Sequence, residues 1–151
     1  MKSYRPLIRA VGLALGLTAG IWAAEADRPA PLFDRLGGMP AVRAVVDDLV
    51  NRILADDRVN KWFAHAASDP ERAAAYKVKL ADFVCLATGG PCKYTGMDMV
   101  AAHTGRGVTA EAFGSVVEDL SATLDNLKVP EKEKRELLGL LAPLKAAIVQ
   151  K

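Results

Sequence analysis

The chain reads as an all-α domain, and three observations carry that reading. No stretch of any length alternates apolar and polar residues with the period of two that a half-buried strand requires. Apolar residues instead recur at spacings of three and four over two long segments, Val42 to Leu54 and Phe113 to Leu127. Helix punctuation separates these segments: Gly37-Gly38, Ser68-Asp69-Pro70-Glu71, Thr88-Gly89-Gly90-Pro91 and Val129-Pro130. Residues 27–151 suffice for one domain with a real core, and no internal linker divides them.

The N-terminal stretch is of a different kind. Lys2, Arg5 and Arg9 precede an uncharged run from Ala10 to Ala24, shorter than the roughly 20 residues a spanning helix needs. This pattern suits an export signal cleaved after Ala26, placing the domain 27–151 in the periplasm; retention of residues 1–26 would leave a membrane-anchored protein. Removing that stretch takes away three basic residues and one acidic one, so the formal charge of +2 becomes zero. Nothing in this charge balance asks for nucleic acid or an anionic membrane surface as a partner.

From Pro29 and Pro31 the chain starts extended, and Leu32, Phe33 and Leu36 form one short amphipathic helix that Gly37-Gly38 ends. Pro40 suits the first turn of the next helix. Its apolar face comprises Val42, Val45, Val46, Leu49, Val50, Ile53 and Leu54, with Asp47, Asp48, Asn51 and Arg52 opposite. Asp56-Asp57-Arg58 breaks the pattern before Val59, Trp62 and Phe63 resume it; this aromatic pair either closes a core or walls a flat apolar cofactor. Ser68 and Glu71 have capping-box spacing, and Pro70 stands in the first turn of a helix. Tyr76, Leu80, Phe83, Val84 and Ala87 mark its apolar face. After Val108-Thr109 another helix carries Phe113, Val116, Val117, Leu120, Leu124 and Leu127 in one stripe. A last helix begins at Val129-Pro130 and carries Leu137, Leu141, Leu144 and Ile148 across Pro143.

The middle of the chain does not fit an evenly spaced bundle. Tyr94-Thr95-Gly96-Met97-Asp98-Met99-Val100-Ala101-Ala102-His103-Thr104-Gly105-Arg106-Gly107 holds one short helical turn between glycine-rich breaks. A turn over 98–103 puts Met99 and His103 on one side, four residues apart. Imidazole there can be a structural residue, an acid/base, or a metal ligand whose second nitrogen is oriented by a carbonyl. Cys85 and Cys92 lie seven residues apart across Gly89-Gly90-Pro91, a spacing open both to a disulfide and to two buried thiols. The absence of CxxC excludes a thioredoxin-like pair and a CxxCH site for covalent haem.

Taken together, several of these stretches give the chain a family likeness. Leu32-Phe33-Asp34-Arg35-Leu36-Gly37-Gly38, Trp62-Phe63, Phe83 through Gly89-Gly90-Pro91, Tyr94-Thr95-Gly96 with Met99, and His103-Thr104-Gly105-Arg106-Gly107-Val108 occur in the order and at the spacings of the truncated haemoglobins. The chain most closely resembles their first group, over residues 32–148. The resemblance implies a truncated globin, a two-over-two helical sandwich around haem b. His103 matches the proximal residue that binds the iron, and Phe63 the aromatic that packs on the porphyrin. Val50, Tyr76, Leu80, Phe83, Tyr94 and Met99 fall among the implied cofactor-binding positions.

The distal side departs from the family pattern. Val50 and Leu80 stand where tyrosine and glutamine commonly donate hydrogen bonds to a bound gas, and neither can donate. Tyr76, one turn before Leu80 on the same face, is the nearest hydroxyl. Lys79 is a weaker candidate, and His65, just beyond Phe63, reads as a surface residue. The implied function is reversible binding of oxygen or another diatomic gas, NO or CO, at a histidine-ligated iron. The alternatives are nitric oxide dioxygenation or haem redox chemistry with a separate electron-donor protein, and a haem-free helical interaction module. The sequence carries no reading of oligomeric state.

Overall fold

A computed structural model describes residues 28–150. Among these residues the structure is helical throughout, without a strand. Helix α1 (Leu32–Leu36) buries Leu32 and Phe33 and ends at Gly37, whose φ of 105° is left-handed. Helix α2 (Gly38–Ala55) starts at once, and its wide apolar face divides between two partners. Val42, Val46 and Val50, four apart, join Phe33, Ala81 and Cys85 in one buried cluster facing α4 (Pro70–Ala87). Val45, Leu49 and Ile53 join Ala112, Leu120, Leu124 and Leu137 in a second, facing α6 (Ala110–Asn126) and α7 (Glu131–Gly139). Leu80 and Val84 pack against both clusters. One helix thus pairs with a neighbour on either side, which gives the two-over-two arrangement its centre.

The α2–α6 contact also has a polar seam. Asp48 accepts hydrogen bonds from Arg52 (2.6 Å), the fully buried Thr123 (2.7 Å) and Asn126 (3.1 Å). These donors, Arg52 foremost, hold its carboxyl below the usual carboxylate range. The residues of α6 closest to the core therefore include Ala112, Ser115 and Thr123, whereas Phe113, Val116 and Val117 are half-buried and Leu127 is exposed. Of the stripe read from hydrophobicity, Leu120 and Leu124 are buried and Val116 packs against them, while Leu127 lies outside the core. Small side chains let two helices approach closely, and a hydrophobic pattern does not register them.

Two further boundaries differ from expectation. The cap of α4 is Asp69, whose carboxylate accepts the Arg72 N–H at 2.9 Å; Ser68 does not cap it. The last helix is broken: α7 ends at Gly139, Ala142–Leu144 form a 3-10 turn containing Pro143, and α8 spans only Lys145–Ile148. Proline lacks the N–H that a continuing helix needs. Arg35 ties α1 to α7 through Glu133 (2.6 Å) and Glu136.

The end of α4 is closed by covalent and steric means. Cys85 and Cys92 form a disulfide with a Cα separation of 5.8 Å, and the Phe33 N–H donates to the Thr88 carbonyl at 2.9 Å. Gly90 sits where these meet. A Cβ there would lie 2.6 Å from Cys85 Sγ and 2.7 Å from the Phe33 ring. Gly90→Ala should therefore cost about 1–3 kcal/mol, as overpacking does, and urea denaturation of oxidised protein will show it as a lower midpoint.

The expectation of an exported or membrane-anchored protein is corrected. Among the described residues no helix is long and apolar enough to cross a membrane. The stretch 1–26 that prompted the export reading lies outside the described residues, and no finding bears out a periplasmic location.

Candidate functional site

His103 closes α5 (Met99–His103), a helix too short to persist alone and held by caps at both ends. Asp98 accepts the Ala101 N–H at 2.9 Å. Thr104 Oγ1 donates to the Val100 carbonyl at 2.7 Å, and Arg106 Nε donates to that of Ala102 at 2.6 Å. The Met99 carbonyl lies 2.8 Å from His103 Nδ1. A carbonyl oxygen only accepts, so Nδ1 carries the hydrogen. In the neutral ring Nε2 then holds the free lone pair. No hydrogen bond among the described residues engages it.

The turn that follows has left-handed glycines at Gly105 (φ 74°) and Gly107 (φ 62°). Nothing lies within 4 Å of a Cβ at either position, so conformation rather than space demands glycine. The turn is tied on two sides. Gly107 N–H donates to Gln150 Oε1 at 3.3 Å and the Gln150 N–H to the Val108 carbonyl at 2.8 Å. From the other side, the Trp62 indole N–H donates to the Arg106 carbonyl at 3.0 Å.

Three other predicted residues come together around α2, α3 (Asn60–Phe63) and α4. Val50, Phe63 and Tyr76 line a small apolar cavity of about 10 Å³, barely room for one water. Leu80 packs against the same cluster. The Tyr76 ring stands edge-on to Phe63 with centroids 6.0 Å apart. Burial, with Tyr94 a lesser influence, pushes its phenol up to about 12. The hydroxyl therefore stays protonated across the physiological range and remains a donor; no partner among the described residues takes its hydrogen bond. A larger apolar cavity of about 180 Å³, bordered by Val42, Val45, Val84, Val129 and Leu137, contains none of the predicted site residues.

Phe83 and Tyr94 form a separate pair, edge-on at 5.3 Å, with the Tyr94 hydroxyl donating to the Met97 carbonyl at 2.9 Å. This pair and the disulfide fasten α4 to the segment leading into α5. The two weaker distal candidates are placed elsewhere. Lys79 is exposed. His65 is exposed too, and its Nε2 lies 2.8 Å from Arg72 Nη1, which can only donate. The His65 lone pair is thus engaged at the surface. Trp62 was legible as an aromatic that closes a core or walls a flat cofactor; a half-buried indole N–H calls for an acceptor, yet nothing in the sequence points to a carbonyl 44 residues away.

Comparison with known proteins agrees with this fold. The family profile described as bacterial-like globin matches residues 31–150. The chain is 37% identical over 116 residues to the group 1 truncated hemoglobin GlbN of Mycolicibacterium paratuberculosis, covering 77% of this chain and 82% of that protein. The Fe(III) form of truncated hemoglobin from Tetrahymena pyriformis superposes with a TM-score of 0.72 at 27% identity, over 80% of this chain and 99% of that one. The 2/2 hemoglobin from Synechococcus sp. PCC 7002, solved in the cyanomet state with covalently attached heme, gives 0.72 at 30% identity, over 81% and 100%. By family match, by identity and by superposition, the chain belongs to the bacterial-like globins and, within them, to the group 1 truncated haemoglobins.

Proposed function

We propose that the chain binds haem b through His103 Nε2 and reversibly holds oxygen or another diatomic gas. The observation that carries this reading is the His103 Nδ1 hydrogen bond to the Met99 carbonyl. It fixes the tautomer and orients the ring, which is what a ligand to iron needs. Among the described residues no group of three or more His, Cys, Asp or Glu is placed to hold a metal. A single imidazole fits a prosthetic group that brings the other ligands of its iron with it. Bound haem would supply an iron that takes up the gas. Family membership supports the same reading.

The chain's own part on the distal side is to exclude water and offer one hydrogen bond. Val50 is 3% exposed and cannot donate. Leu80 cannot either. Tyr76, protonated and beside Phe63, is the donor this reading assigns, since Lys79 is exposed and His65 is taken by Arg72. A hydrogen bond of about 1–1.5 kcal/mol corresponds to roughly tenfold in rate. Tyr76→Phe should speed oxygen dissociation by about that factor while leaving carbon monoxide association little changed; an unchanged oxygen off-rate removes Tyr76 from this role. For the function itself, ferrous haem-loaded protein should cycle between two spectra as carbon monoxide is added and then flushed. Failure to respond to gas would overturn the reading. No observation among the described residues favours nitric oxide oxidation or a haem-free module over it.

A further inference from the structure

We infer that Trp62 is a positioning residue for His103: its indole N–H, by holding the Arg106 carbonyl, sets how the histidine presents Nε2. The inference rests on the proposed role of His103. Arg106 is folded back on the last turn of α5, its backbone N–H donating to the His103 carbonyl at 3.1 Å and its Nε to Ala102. Its own carbonyl accepts the Trp62 indole N–H at 3.0 Å. From indole to imidazole the path is therefore one hydrogen bond and three peptide units, with a second hydrogen bond closing the loop.

The donor end is rigid. The Trp62 ring packs against the core cluster, and Lys61 Nζ covers it at 4.2 Å from the centroid. Val59, fully buried, begins the turn, and the backbone N–H groups of Val59 and Asn60 both donate to the Asp56 carbonyl. Arg58 adds an outer tie between Asp56 and Glu118 of α6. The acceptor end is not rigid by itself. A five-residue helix followed by two left-handed glycines takes its position from outside ties. Trp62 supplies the tie from α3, and its neighbour Phe63 borders the cavity with Tyr76. One short helix thus touches the distal wall with one side chain and the proximal turn with the next.

A purely space-filling Trp62 predicts lost stability and no change at the histidine. Positioning predicts a local signature. Trp62→Phe keeps an aromatic ring and removes the N–H. In the haem-free protein, amide exchange at Arg106 should quicken about tenfold. In the ferrous haem-loaded protein, the iron–histidine stretching band in resonance Raman should shift or broaden. The decisive comparison uses a His103→Gly background supplied with free imidazole: there the ligand is no longer tethered to the turn, and Trp62→Phe should leave the iron–imidazole band unchanged. An unmoved iron–histidine band in Trp62→Phe, unchanged Arg106 exchange, or an equal shift in the imidazole-supplied background would each overturn the inference. Failure of the underlying reading looks different, since His103→Gly without imidazole would then keep the wild-type band whatever stands at position 62.

Discussion

Replacing His103 by glycine should lower haem affinity by about a hundredfold or more, equivalent to about 2.8 kcal/mol, and imidazole in solution should restore most of it. The expectation follows from the division of labour at the ring: Nδ1 is committed to the Met99 carbonyl at 2.8 Å, and Nε2 is left without a partner among the described residues. Glycine removes the ligand, and its lack of a side chain makes room for free imidazole. Haem titration followed by Soret absorbance measures both arms. The helix α5 should survive the change, because its caps come from Asp98, Thr104 and Arg106 rather than from His103. Circular dichroism of the haem-free variant close to that of wild type would show that the loss is one of ligation.

Leu124→Ala should be the most damaging single truncation in the core, at about 2–5 kcal/mol. Leu124 is 0% exposed and packs in the cluster that joins α2 to α6 and α7. A loss of that size is a large share of the roughly 5–15 kcal/mol that a domain has, and urea denaturation will report it. Leu127→Ala is the control. It belongs to the same hydrophobic stripe by spacing, yet the side chain is 37% exposed, so its cost should stay within about 1 kcal/mol. Equal costs at the two positions would contradict the packing of α6.

The contrast between Leu124 and Leu127 shows where sequence reasoning succeeded and where it stopped. Periodicity found α2, α4 and α6, because a helix that buries one face must repeat its apolar residues at three and four. It could not tell that the face of α2 is shared between two partners, or that Ala112, Ser115 and Thr123 lie in the core of α6. Those depend on which helix comes near, and small residues leave no hydrophobic trace. The leucine spacing carries a helix across Pro143, whereas in the fold α7 ends at Gly139 and Pro143 sits in a 3-10 turn. At the candidate site, local chemistry was legible and long-range chemistry was not. The four-residue offset of Met99 and His103 matches the hydrogen bond between His103 Nδ1 and the Met99 carbonyl, and the aromatic character of Phe63 and Tyr76 matches their edge-on pairing. The Trp62 to Arg106 bond and the choice between thiols and a disulfide at Cys85 and Cys92 depend on distances that chain position alone does not give.

The central claim is that one histidine, His103, ligates haem iron and leaves an axial position open to gas. The most direct measurement is the absorption and resonance Raman spectrum of the ferrous protein carrying one equivalent of haem, recorded before and after carbon monoxide. The account predicts a five-coordinate, high-spin species with an iron–histidine stretching band that disappears on adding the gas. A six-coordinate resting spectrum would contradict it, as would the same band in His103→Gly protein without imidazole.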